Sequence, residues 1–207
     1  MKKIAVIVAL DSEYDLVQKA IKDMPGVSLS RCGIGKVNAA VGATAIIEKD
    51  RPDAIISTGV AGSLTESLKP LDVVVSERIA YHDVWCGEGV EWGQVQGFPK
   101  FFQTDEELYS KAMSLKVDGV TIKGGLQISG DRFITSKDLP ILKEMYPDAI
   151  SVDMESGALA QTCYRYGIPF ISFRVISDSS DESSYADFWS MATEHSFRVL
   201  ESYLKSL

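Results

Sequence analysis

Residues 4–22 read IAVIVALDSEYDLVQKAIK: five small or β-branched apolar residues, a short break, then a helical period. The run Ile4-Ala5-Val6-Ile7-Val8 is too short for a helix and shows no polar alternation. That is the pattern of a strand covered on both faces. Asp11 to Lys22 follows as an amphipathic stretch. One strand feeding one helix is the repeating unit of a layered α/β chain.

Outward from this unit the signal recurs. Residues 53–58 (DAIIST), 72–76 (DVVVS), 120–129 (VTIKGGLQIS), 149–152 and 169–177 (PFISFRVIS) predict further strands. Residues 36–49, 105–115, 136–145, 155–166 and a stretch near 185–204 predict helices. The alternation predicts a central, mostly parallel sheet with helices on both faces, an α/β three-layer sandwich. No linker rich in Pro, Gly or Ser interrupts it, so residues 1–207 are expected to form one domain.

The 207 residues are 45% hydrophobic and 24% charged, enough for a large core and unlike a disordered chain. Lys+Arg 21 against Asp+Glu 29 gives a net charge of -8, which argues against nucleic acid or an anionic membrane as partner. No apolar run approaches the ~20 residues that cross a bilayer. Met1-Lys2-Lys3 before an apolar run resembles a signal peptide, yet Asp11, Glu13 and Asp15 follow without a small-residue cleavage site. Cys32, Cys86 and Cys163 are far apart and odd in number, which suits a reducing cytoplasm.

Sheets of this kind bind ligands beyond the carboxyl ends of their strands. Those ends fall at 10–13, 32–36, 59–63, 81–83, 129–134, 153–155 and 177–181. Glycines and carboxylates dominate them and cations are few. This composition suits a hydroxyl-bearing, near-neutral ligand better than a polyphosphate.

Gly33-Ile34-Gly35-Lys36 and Thr58-Gly59-Val60-Ala61-Gly62-Ser63 match neither G-x-G-x-x-G nor the P-loop spacing. Each reads equally as a ligand-facing turn or a plain strand-to-helix turn, with Lys36 as a solvated charge. Asp153-Met154-Glu155 closes a strand and opens a helix, whose dipole favours an ionised Glu155 by roughly 0.3–1 kcal/mol. An ionised carboxylate can accept from two sugar hydroxyls; simple capping is the alternative, and Met154 alone reads as core filler. Asp178 follows the apolar strand 170–176, where lost solvation would let it keep a proton for a leaving group. An Asx turn is the alternative. Glu13, on the same edge, could orient a water as general base or serve as a first-turn helix charge.

His82 and His195 are the two histidines. Tyr81-His82-Asp83 lacks further ligands at metal-binding spacing, and no G-x-S-x-G elbow exists. Acid–base chemistry without metal or covalent nucleophile is expected. The loop 85–102 (WCGEGVEWGQVQGFPKFF) has aromatics and glycines but little period, and is expected to lie against a second subunit.

Gly33–Val37 (GIGKV), 57–63 (STGVAGS), Tyr81-His82-Asp83, 129–134 (SGDRFI), 152–155 (VDME) and 174–178 (RVISD) occur in one order. The combination resembles the nucleoside phosphorylase and nucleosidase superfamily, and is similar to its 5′-methylthioadenosine/S-adenosylhomocysteine nucleosidases. The resemblance implies a nucleoside phosphorylase-like mixed sheet, a homodimer, no cofactor, and hydrolysis of an adenine nucleoside thioether to release adenine. It implies Glu13 as the residue that activates water and Asp178 as the acid toward the adenine N7. Glu155 and Met154 would hold the ribose, Phe133 would stack on the base, and Ile134 would meet it through its backbone. Asp153, Arg174, Ser177 and Phe188 would be further pocket positions, with Ala61 and Gly62 near the sugar. The chain departs from the family pattern at Asp153, commonly Glu, and Val60, often Ser or Ala. It departs also in a short stretch before Gly33 and in a loop carrying Trp85, Glu88 and Gln96. A phosphorylase of this fold would need cations where Asp11-Ser12-Glu13 and Val60-Ala61-Gly62 stand, and a nonenzymatic nucleoside-binding module would not need Glu13, Glu155 and Asp178 together.

Overall fold

Strand β1 (Ile4–Val8) is buried along its whole length because alternate side chains enter two different layers. Ile4, Val6 and Val8 pack with α1 (Asp11–Ile21), α3 (Glu106–Ser114) and a final helix α6 (residues 195–206). Ala5 and Ile7 pack with α2 (Lys36–Asp50) and α5 (Ser156–Tyr166) on the other side. Two apolar layers around one sheet account for the uninterrupted apolar run. The structure, a computed structural model, describes residues 3–178 and 195–207, the side chain of Asp178 excepted. Phe188 and the start of the last predicted helix lie outside the described residues.

The remaining strands are β2 (Val27–Arg31), β3 (Ala54–Ser63), β4 (Val73–Tyr81), β5 (Phe102–Gln103), β6 (Ile122–Ser129), β7 (Ala149–Asp153) and β8 (Phe170–Asp178); α4 is Leu139–Met145. The sheet is mixed, as the resemblance implied. Pairs β1/β2, β1/β3, β3/β8, β4/β6 and β6/β7 are parallel, whereas β3/β7, β4/β5 and β4/β8 are antiparallel. Among the described residues no helix is long and apolar enough to cross a membrane.

Two features differ from the sequence reading. First, the residues 59–63 are not a turn: β3 continues through them, pairing Gly59–Ala61 with Arg174–Ile176 of β8 and Gly62-Ser63 with β7. Pairing on both edges overrides the turn signal of two glycines. Second, the central layer closes on itself at one end. β3, β8, β4, β6 and β7 pair in succession and β7 returns to β3. Register shifts in β4, in the β6/β7 ladder and at Ala61/Gly62 supply the bends that let it curl. Strands of opposite direction can therefore deliver their ends to one place. Strands β2 and β5 went unread, the first because it is a short edge strand with half-buried alternation, the second because it has two residues.

Candidate active site

That place is a solvent-open cavity of about 180 Å³. Its floor is Val60, Ala61 and Gly62 of β3. Around the floor stand Ala9, Leu10 and Glu13 after β1, Ile34 after β2, Arg132, Phe133 and Ile134 after β6, Val152–Glu155 ending β7, and Ser177 of β8. Of the residues named from sequence, Glu13, Ala61, Gly62, Phe133, Ile134, Asp153, Met154, Glu155 and Ser177 meet here. The backbone of Asp178 follows Ser177 and stands in register with Gly62. Its side chain, like Phe188, lies outside what is described. Leu10, Ile34, Val60 and Arg132 fall within the strand ends read from sequence but were given no role, while Ala9 and Val152 lie one residue before such an end and were missed.

Glu13 sits in the first turn of α1 and is 6% exposed. Its Oε2 accepts from the amides of Ala9 (2.9 Å) and Leu10 (3.0 Å), and the Val60 amide also bonds the carboxylate. A carboxylate offers about four lone-pair positions, so roughly one stays open for a water. Gly59 makes the fit: a β-carbon there would stand 2.6 Å from Glu13 Oε1. Burial raises the Glu13 pKa, opposed by the amides and by Arg174.

Glu155 is buried against the turn after β2, its Oε1 accepting from the Gly35 amide at 2.9 Å. It is the N-cap of α5, yet the expectation that the helix dipole keeps it ionised does not hold alone. Burial and the neighbouring Asp153 push its pKa up to about 7, against the pull of Arg174. A dipole effect below about 1 kcal/mol is smaller than desolvation of a buried carboxyl.

Asp153 lines the cavity and Arg174 stands behind it, the two joined as a buried ion pair. Arg174 is 3% exposed and donates from Nε to Asp153 Oδ2 at 2.8 Å. Its other nitrogens go to the Ser57 hydroxyl, the Ser156 hydroxyl and the Phe173 carbonyl. Asp153 borders the cavity, but its oxygens also accept from the amide and hydroxyl of Ser156. The pair lies beneath the site, a buried cation facing Glu13, Asp153 and Glu155. Removing the cation would leave carboxylates unpaired in a dry interior.

Lys36 is no solvated charge. Its Nζ reaches Asp83 Oδ2 at 2.7 Å and lies 5.5 Å from the Tyr81 ring centroid. Tyr81-His82-Asp83 stands behind the cavity wall instead of lining it. His82 is buried, burial lowers its pKa, and its carbonyl accepts from Trp92 Nε1.

The phosphorylase superfamily model matches residues 3–205. The chain belongs to the phosphorylase superfamily. Among solved members, a 5′-methylthioadenosine/S-adenosylhomocysteine nucleosidase from Neisseria meningitidis, in complex with methylthio-immucillin-A, is 34% identical over 100% of both chains, with a TM-score of 0.95. The enzyme of the same description from Colwellia psychrerythraea, in complex with adenine, is 27% identical over 100% of this chain and 96% of that one, TM-score 0.92. The S. pneumoniae enzyme, with a transition-state inhibitor, is 28% identical over 98% of each, TM-score 0.90. Within the phosphorylase superfamily, this chain thus carries the nucleosidase arrangement over its full length.

Proposed function

We propose that the protein hydrolyses the N-ribosidic bond of an adenine nucleoside thioether, 5′-methylthioadenosine or S-adenosylhomocysteine, and releases adenine. The observation that carries this reading is the meeting of Glu13, Glu155 and the Phe133-Ile134 loop around one cavity. Glu155 accepts from the ribose hydroxyls with Met154 beside it, and Phe133 and Ile134 frame the base. Glu13, fixed by three amides, takes a proton from water as its oxygen bonds the anomeric carbon. The carbon–nitrogen bond breaks toward the base, which receives a proton at N7 from Asp178. Two carboxyl groups in opposite roles match the logic of inverting glycoside hydrolysis. The raised pKa of Glu13 brings it nearer the working pH, where a general base is most effective.

Water is favoured over phosphate by charge. Three carboxylates border the cavity, its one lining arginine, Arg132, is paired with Asp138, and Arg174 is committed to Asp153. An incoming phosphate would meet repulsion, with no unpaired arginine lining the cavity among the described residues.

The whole chain acts as one domain and works as a homodimer. Val37 and Val41, one helical turn apart on α2, are 74% and 64% exposed, and Trp85 and Trp92 stack at 6.4 Å on the loop 85–102 while remaining open to solvent. A second copy covering these faces, and the half-exposed Ile34 at the cavity rim, would shield the 5′ end of the ligand. Three free cysteines suit the cytoplasm. Adenine release from a panel of nucleosides, with and without phosphate, tests the activity. Release without phosphate is expected; a strict need for phosphate would make it a phosphorylase, and binding without turnover a nonenzymatic module.

A further inference from the structure

Two consecutive amides at the start of α2 serve two different walls of the cavity. Gly35 N donates to Glu155 Oε1 at 2.9 Å, and Lys36 N donates to Asp131 Oδ1 at 2.6 Å. Asp131 immediately precedes Arg132-Phe133-Ile134 of the base wall. Its own amide donates to Asp83 Oδ2 at 2.8 Å, the same oxygen that takes the Lys36 ammonium. Three loops, after β2, β4 and β6, are thus joined by one aspartate pair and one lysine.

The contacts leave no room for substitutes. A β-carbon on Gly35, whose φ is +89°, would lie 2.8 Å from Asp131 Oδ1. One on Gly130 would stand 2.6 Å from His82 Nε2 and 2.7 Å from Asp83 Cγ. The far side of the base loop is held by Asp138, which accepts from the Thr135 amide and hydroxyl and pairs with Arg132. Phe133, between the two anchors, is 47% exposed and cannot be fixed by burial alone.

We propose that Asp131, with Asp83 and Lys36, is a positioning latch that sets the distance between the ribose carboxylate Glu155 and the base wall. It touches no reacting atom. It rests on the nucleosidase reading above, since the distance it sets is that between a sugar and its base. The helix N-terminus favours an anion, so the chain supplies its own at Asp131. The bonds of the pair all end on carboxylate oxygens of Asp131 and Asp83, the stronger class of hydrogen-bond acceptor.

Steady-state adenine release from 5′-methylthioadenosine by wild type, Asp131→Ala, Asp131→Asn and Asp83→Ala provides the test, together with each variant's melting temperature. Loss of one charge-assisted bond predicts KM raised about tenfold in Asp131→Ala with kcat held within about threefold. Asp131→Asn keeps an acceptor oxygen and should restore most of the affinity. Should Asp131→Ala fail to fold, Asp83→Ala carries the same expectation, because Asp83 holds the Asp131 amide and the Lys36 ammonium together. A KM unchanged in a folded variant, or a fall in kcat alone, overturns the latch while the nucleosidase reading stands. A wild type that releases no adenine overturns both.

Discussion

Gly59 and Glu13 are fitted to each other: a β-carbon on the first would stand 2.6 Å from Oε1 of the second, so any side chain there would press into its carboxylate. Gly59→Ala should therefore displace Glu13 and cut hydrolysis by at least about tenfold, the low end of what a misplaced catalytic group costs. Nucleoside affinity, measured with a non-hydrolysable analogue, should change little.

Removing the base itself should separate binding from chemistry. Glu13→Gln keeps acceptor capacity on one oxygen but cannot take a proton. Retained analogue binding with hydrolysis reduced about 10²–10⁴-fold is expected. Wild-type turnover would reject Glu13 as the base.

Asp178→Asn tests the acid. The amide can hydrogen-bond the base but cannot protonate it, so turnover should drop by about 10²–10⁴-fold in single-turnover assays. Near-normal rates would move the proton donor elsewhere.

Glu155 predicts a pH signature. Its pKa in the folded protein is about 7 against an ordinary 4.5. Between those values the folded state holds a proton that the unfolded chain has released, so its contribution to stability declines as pH rises through this window and is level above it. Binding runs the other way, because the ribose hydroxyls need an ionised acceptor. KM should fall as pH rises from about 6 to about 8, and thermal melts of Glu155→Gln should lose this component of the pH dependence. A wild-type KM flat across that range would separate Glu155 from the sugar.

Arg174 predicts a stability effect. Arg174→Met leaves Asp153 buried without its partner, a change that typically costs about 3–5 kcal/mol. Chemical denaturation should register it, and Arg174→Lys should recover only part, because an ammonium cannot reach Asp153 and the Ser57 hydroxyl with a planar fork.

Much of the fold was legible because β1, β4, β6, β7 and β8 carry short apolar runs whose length and period are local properties. The cavity residues Glu13, Phe133, Ile134, Met154, Glu155 and Ser177 were legible for a related reason: each closely follows a strand or ends one. What escaped depends on partners distant in sequence. The residues 59–63 look like a turn until β7 and β8 pair with them. The Asp153–Arg174 pair and the Lys36–Asp83 pair join residues that share no period. Glu155 was assigned a charge from its place on a helix, and only its burial beside Asp153 reverses the balance.

The return of β7 to β3 has a consequence for how this protein can change. A strand bonded to β1, to β8 and, at its tip, to β7 cannot fray from one side, so its amides should be among the slowest to exchange with deuterium, while the outlying β2 should exchange early. The pocket then has an immovable base and adjustable walls. Any broadening of the ligands admitted would arise by remodelling the segments above β3, leaving the strand itself untouched.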